Sequence, residues 1–105
     1  MDEFSVSRRR TGDAIVVAPA GEIDLATVAV VEASIQAALA ETDTLVLDLR
    51  DVSFIDSAGL RLVLETSREV RDFSVVRGPR EVQRVFGLVG LDERLTILDE
   101  PPGAA

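Results

Sequence analysis

The sequence predicts an α/β fold: a single domain over residues 1–105 with a mainly parallel mixed sheet, an antiparallel N-terminal edge strand and packed helices. Two observations favour this class. Short runs of β-branched and aliphatic residues alternate with longer segments whose apolar residues recur at helical spacing, as expected where helices connect parallel strands. A length of 105 residues is also enough to bury one hydrophobic core but not two.

The N-terminal region is predicted to form a β-hairpin over residues 4–20, because two β-prone runs flank the turn signal Thr11-Gly12-Asp13. The hairpin would supply the antiparallel edge strand. The consecutive arginines at residues 8–10 are interpreted as a solvated strand edge without a function of their own.

A first helix is expected after Gly21, with Asp24 as its N-cap and the polar residues 41–43 at its end. Its buried stripe would consist of Val28, Val31, Ile35 and Leu39. Residues 44–50 are typical of a central strand, and a polar turn is expected after them.

A second helix is predicted to begin at Ser57, directly after Asp56. Its apolar stripe would be Leu60, Val63, Leu64 and Ser67. The loops at residues 21–24 and 51–59 would then lie beyond the carboxyl ends of strands, where functional groups gather in sheets of this kind.

The last part of the chain is predicted to contain a strand at residues 73–77, a third helix and a final strand at residues 95–98. Pro79 suits the first position of the third helix, and Gly90 suits the left-handed position that closes it. The packed core is expected to span residues 4–98, with residues 99–105 as a flexible tail. The buried face of the third helix would be Val82, Val85, Phe86 and Val89.

Composition excludes several classes of function. The net charge of −8 opposes binding to nucleic acid and to anionic membrane surfaces. Without Cys or His, and with Arg as every basic residue, the chain lacks thiol and imidazole catalysts, the usual zinc ligands and a P-loop lysine. We therefore expect no cofactor, no metal and no enzymatic activity. Because Asp2 and Glu3 follow Met1 and no long apolar stretch comes after them, we expect a cytoplasmic protein without nucleic-acid or membrane partners.

Three motifs carry a family resemblance. D-x-S-x-I-D-S-A-G-L spans Asp51 to Leu60, G-E-I-D-L spans Gly21 to Leu25, and G-P-x-x-V-x-x-V-F is followed by G-L-D in the last third of the chain. In these motifs and their order the sequence resembles the STAS domain of bacterial anti-sigma factor antagonists. The segment between Leu64 and Val75 is a few residues shorter than is usual and lacks the glycine that commonly precedes the next strand.

The resemblance implies a switch protein that binds an anti-sigma factor serine kinase when unphosphorylated, so that sigma factor is released. It also implies that Ser57 is phosphorylated by that kinase and dephosphorylated by a PP2C-type serine phosphatase. A helix N-terminus tolerates the added phosphate. The partner-binding residues implied in this way are Asp24, Ser53, Asp56, Ser57, Ala58, Gly59 and Leu60. Among them, Ser53 is expected to hold the loop by local hydrogen bonds rather than to accept phosphate.

Other interpretations of the same residues stay open at this point. Ser57 also suits a plain N-cap, and Asp56 is either a second capping candidate or a group that shapes the phosphoacceptor. Gly59 permits either the close approach of a partner backbone or packing of the helix on the sheet. Competing functions are a response-regulator receiver with Asp48, Asp51 and Asp56 around magnesium, a nucleotide-binding module, and a STAS scaffold of a sensory or transport assembly.

Overall fold

The computed structural model describes residues 3–103, so Met1, Asp2 and residues 104–105 lie outside the described part of the chain. The strands and helices that the sequence predicts occur in the predicted order, with one additional strand. The elements are β1 (Ser5–Thr11), β2 (Ala14–Ile23), α1 (Val28–Leu39), β3 (Thr44–Asp48), β4 (Asp51–Ile55), α2 (Ser57–Glu69), β5 (Asp72–Val76), α3 (Arg80–Leu88), a 3-10 turn (Leu91–Glu93) and β6 (Thr96–Leu98).

Within residues 3–103, six strands form one mixed sheet in the order β1-β2-β3-β5-β6, and β4 pairs with β2. The β1–β2 pair is the antiparallel N-terminal hairpin, while the other pairings are parallel. The long strand β2 pairs with β3 over Ala14–Val17 and with β4 from Ala20 onward, with a register shift between Gly21 and Glu22. The predicted α/β class, with a mainly parallel sheet and an antiparallel edge strand, is confirmed.

Strand β4 is a correction to the polar turn that we expected after β3. The turn is confined to the two residues between Asp48 and Asp51, and Asp51–Ile55 then forms a strand alongside the end of β2. Val52 and Ile55 are buried, whereas Ser53 and Phe54 are exposed. The burial of two of its apolar side chains, together with the ladder to β2, stabilises β4 despite its polar residues.

Helix α1 begins at Val28 rather than just after Asp24, so Asp24 is not its N-cap. One carboxylate oxygen of Asp24 accepts hydrogen bonds from the backbone N–H groups of Ala26 at 2.9 Å and Thr27 at 3.1 Å. The carbonyl of Asp24 also accepts from the N–H of Val28 at 2.8 Å. Asp24 therefore closes a turn over residues 24–27 that leads into the helix.

The buried face of α2 is displaced from the predicted stripe. Leu60 and Leu64 are only half-buried, and α2 continues to Glu69 before β5 begins at Asp72. The residues of α2 that are buried against the sheet are Gly59, Leu62, Val63 and Thr66.

Helix α3 begins at Arg80, so Pro79 is its N-cap and not its first helical residue. Val82 and Phe86 are buried as predicted, but Val89 is 57% exposed. Gly90 has a φ of 75°, which confirms the predicted left-handed closure of this helix.

Residues 99–103, which belong to the predicted tail, contact the rest of the domain. Pro101 is buried, and the guanidinium of Arg9 donates a hydrogen bond to the carbonyl of Pro102 at 3.1 Å. These contacts hold the segment against β1. None of the helices within residues 3–103 is long and apolar enough to cross a membrane.

Candidate functional site

The carboxyl ends of β2 and β4 meet at one edge of the sheet and bring two of the sequence motifs together. Ile23 lies opposite Ile55 in the parallel pair, and the N–H of Asp56 donates to the carbonyl of Ile23 at 3.1 Å. The turn that follows β2 therefore adjoins the start of α2. This edge places the Asp24 turn beside Ser57.

Asp56 is the N-cap of α2. Its carboxylate accepts hydrogen bonds from the backbone N–H groups of Ala58 at 2.9 Å and Gly59 at 3.2 Å. Ser57 is the first residue of the helix and is exposed. Of the two capping candidates, Asp56 caps the helix, and the Ser57 hydroxyl does not take part in the cap.

Gly59 is buried where α2 rests on the ends of β2 and β4. A Cβ atom at this position would lie 2.5 Å from Cγ1 of Ile55 and 2.9 Å from Cγ2 of Ile23. Only glycine allows the first turn of α2 to approach the sheet this closely. The structure therefore supports packing on the sheet for Gly59, and this packing sets the position of Ser57.

Two grooves border Ser57, and Arg61 also lines both of them. The first, which we call the Leu25 groove, has a volume of about 350 Å³ and is lined by Leu25, Val28, Glu32, Ser57, Ala58, Arg61, Leu62 and Glu65. The second, which we call the arginine groove, has a volume of about 410 Å³ and is lined by Ser57, Leu60, Arg61, Leu64, Arg68, Val89, Leu91 and Arg94.

Exposed apolar side chains stand in both grooves. Leu25 is 81% exposed in the Asp24 turn, and Val89 is 57% exposed after α3. Sequence reasoning did not select Leu25, although it is the last residue of G-E-I-D-L, and it assigned Val89 to the core. The position of Leu25 at the end of a family motif was the signal available in the sequence, whereas no local pattern marked Val89 as exposed.

Asp24 and Ser53 line grooves that do not contain Ser57. Ser53 lines a groove of about 730 Å³ with Asp24 and Asp51, and a second groove of about 400 Å³ with Phe54 and Leu88. Asp24 therefore lines the groove beside β4, while Leu25 of the same turn lines the Leu25 groove. Ser53 lines neither groove that contains Ser57.

Two of the three acidic residues that would form a receiver site, Asp48 and Asp56, are engaged in other interactions. Asp48 is buried and receives hydrogen bonds from the guanidinium of Arg50, with Nη2 to Oδ2 at 3.1 Å. The hydrogen bond and the charge of Asp48 raise the pKa of Arg50 above its ordinary value. Asp56 caps α2, and no group of acidic residues that could hold a metal ion occurs in residues 3–103, so nothing there supports the competing receiver interpretation.

Both the sequence and the fold of this chain are similar to those of known proteins. The model of the STAS domain family matches residues 5–101. The anti-sigma-F factor antagonist RsfB of Mycobacterium tuberculosis is 34% identical in an alignment of 96 residues that covers 88% of this chain and 79% of RsfB. An anti-sigma factor antagonist from Mycobacterium paratuberculosis has a similar crystal structure, with a TM-score of 0.85 and 28% identity over 93% of this chain and 87% of that one. The Bacillus cell fate determinant SpoIIAA in its phosphorylated form matches with a TM-score of 0.67 and 25% identity over 93% of both chains.

Proposed function

Because the chain belongs to the STAS domain family, we propose that it is an anti-sigma factor antagonist that acts by binding a protein partner. In its unmodified form it binds an anti-sigma factor that is also a serine kinase, and sigma factor is released. Phosphorylation of Ser57 by that kinase weakens the complex, and a PP2C-type phosphatase restores it. The chain is then a ligand and a substrate rather than a catalyst, and it works in the cytoplasm.

The position of the Ser57 hydroxyl is the observation that carries this proposal. Ser57 is exposed on the first turn of α2, at the junction of β2, β4 and the Asp24 turn. Since the Asp56 carboxylate supplies the cap, the hydroxyl is not needed to hold the helix. It is accessible to a kinase and can be modified without removing an interaction that stabilises the domain.

Phosphorylation at this position would change the surface rather than the fold. Oγ of Ser57 forms a bond to the γ-phosphorus of ATP while the bond to the bridging oxygen of the departing ADP breaks, and the hydroxyl proton passes to a base of the kinase. The product carries about two added negative charges next to the Asp56 carboxylate. Added charge and bulk at a docking face reduce complementarity to the partner without unfolding the domain.

Exposed apolar groups around Ser57 give a partner surface to bury. Leu25 and Val89 flank the hydroxyl from the two grooves, and burying such side chains is favourable by about 25 cal/mol per Å² of apolar area. We propose that the partner covers this face and that Ser53 lies at its margin. The proposed contact residues are Asp24, Ser53, Asp56, Ser57, Ala58 and Leu60. Gly59, which the sequence motif also implied, is buried against the sheet and is not proposed as a contact.

The proposal is tested with a preformed complex of the anti-sigma factor and a fluorescently labelled sigma factor. We expect the unmodified chain to release the sigma factor in a concentration-dependent way, measured by fluorescence anisotropy. The form phosphorylated at Ser57 should need a higher concentration for the same release. If folded, unmodified chain left the sigma factor bound at every concentration, the proposed function would be wrong.

A further inference from the structure

The arginine groove combines an apolar floor with a cationic rim. Leu60, Leu64 and Leu91 contribute buried or half-buried apolar surface, and Val89 stands exposed at one side. The rim is formed by the exposed residues Arg61 and Arg68 of α2 and Arg94, which follows the 3-10 turn. Helix α2 therefore supplies one wall, and the segment after α3 supplies the other.

The positive charge of this groove is local and contrasts with the rest of the molecule. The chain has a net charge of −8, yet among the described residues that line this groove none is acidic. The ion pairs found within residues 3–103 involve other arginines, namely Arg8, Arg10, Arg50 and Arg77. The guanidinium groups of the rim are thus available for an anionic group from outside.

Ser57 lines the same groove as the arginines of the rim. Ser57 and Arg61 are four residues apart on α2, a spacing that places two side chains next to each other on the helix surface. Arg94 lines the same groove from the opposite wall. A phosphate on Ser57 would therefore lie within the reach of guanidinium groups, which bind phosphate oxygens in a bidentate manner.

Building on the proposed function, we propose that the arginine groove receives a segment of the anti-sigma factor kinase that carries both acidic and apolar side chains, and that phosphorylated Ser57 closes the groove by pairing with Arg61 and Arg94. The arginines of the rim favour acidic side chains of the partner segment, because opposite charges attract across an interface. The leucines of the groove floor favour apolar side chains in the same segment. The phosphate then competes for the same arginines, so modification removes the site that the kinase used.

The first test measures the affinity of the chain for the purified kinase that phosphorylates it. The variant Arg61→Gln/Arg94→Gln removes two rim charges. As a matched control, Arg71→Gln/Arg80→Gln removes two exposed charges that line neither this groove nor the grooves around Ser53. We expect the groove variant to bind about tenfold more weakly, with a smaller dependence on salt, and the control to stay within about twofold of the unmodified chain. Circular dichroism and thermal melting establish that both variants are folded.

The second test concerns the chain alone, with phosphoserine incorporated at Ser57. Phosphorus NMR titration should give a lower phosphate pKa in the otherwise unaltered chain than in the groove variant, by about 0.5 to 1, because nearby cations favour the dianion. The control variant should leave this pKa unchanged. Equal phosphate pKa values in all three chains would overturn the pairing of the phosphate with Arg61 and Arg94.

The outcomes separate this inference from the proposed function. If the kinase binds the unaltered chain and the groove variant equally well, or if the control variant is weakened as much as the groove variant, the docking groove is wrong while the antagonist function stands. If the kinase does not bind even the unaltered, unphosphorylated chain, the proposed function fails and the docking groove fails with it.

Discussion

Replacing Gly59 with alanine should destabilise the domain, because the new methyl group has no space between α2 and the sheet. Its Cβ would lie 2.5 Å from Cγ1 of Ile55 and 2.9 Å from Cγ2 of Ile23, closer than packed carbon atoms approach. Overpacking of this kind costs about 1–3 kcal/mol. The better helix propensity of alanine offsets up to about 1 kcal/mol. The expected net loss in the free energy of unfolding is about 1–2 kcal/mol.

The same substitution at Gly87 provides a matched control with the opposite expected sign. Gly87 lies on the exposed side of α3, and its Cβ would meet only a carboxylate oxygen of Asp92 at 3.4 Å, an ordinary contact. Gly87→Ala should therefore keep the helix-propensity gain and stabilise the domain by up to about 1 kcal/mol.

Urea denaturation and thermal melting of the two variants measure this difference. For a domain of this size each kcal/mol corresponds to about 4–8 °C in Tm, so Gly59→Ala should melt about 5–15 °C below the unaltered chain. Gly87→Ala should melt at or above it. A Gly59→Ala protein as stable as the unaltered chain would refute the close approach of α2 to the sheet.

Other perturbations have defined outcomes. Ser57→Ala should keep its fold and still bind the kinase, because Asp56 provides the cap; a folded variant that no longer binds would contradict this. Asp56→Ala should lower the free energy of unfolding by about 1 kcal/mol in urea denaturation, and Asp56→Asn should lose much less; equal stability of all three proteins would disprove the cap. The Arg8 guanidinium lowers the pKa of Glu41 in the folded state. The contribution of this ion pair to the free energy of unfolding is therefore present at neutral pH and is lost as pH falls through the lowered pKa. The stability difference between the unaltered chain and Glu41→Gln should therefore shrink in acid, and a difference that did not change with pH would contradict the pair.

The order and type of the elements follow from local signals, but several boundaries depend on distant contacts. Asp24 is a residue type that is common at N-caps, and it accepts backbone hydrogen bonds in the same way in a turn as at the start of a helix. The residue type alone therefore does not show that α1 begins later, at Val28. The polar residues Asp51 and Ser53 suggested a turn, whereas pairing with the end of β2 makes them part of a strand. The C-terminal segment is held to the N-terminal hairpin by the hydrogen bond from Arg9 to the carbonyl of Pro102, 93 residues apart, which no local pattern at the C-terminus could predict.

The part of the candidate site that depends on local sequence signals was predictable, and the part that depends on distant contacts was not. The motif from Asp51 to Leu60 identified Ser57 and Asp56, and the parallel pairing of β2 with β4 places the Asp24 turn next to them. The arginine groove was not predictable, because Arg61 and Arg94 belong to different elements and meet only in the folded chain. Periodicity also assigned Val89 to the core, although α3 ends before it and leaves it exposed.

Phosphorylation of the purified chain by its anti-sigma factor kinase with Mg-ATP tests the central claim most directly. Peptide mass spectrometry should locate a single phosphate on Ser57, the phosphorylated form should bind the kinase more weakly than the unmodified form, and both forms should melt cooperatively at similar temperatures. Phosphate on Ser53 instead of Ser57, equal affinities of the two forms, or loss of binding through collapse of the melting transition would each contradict the account.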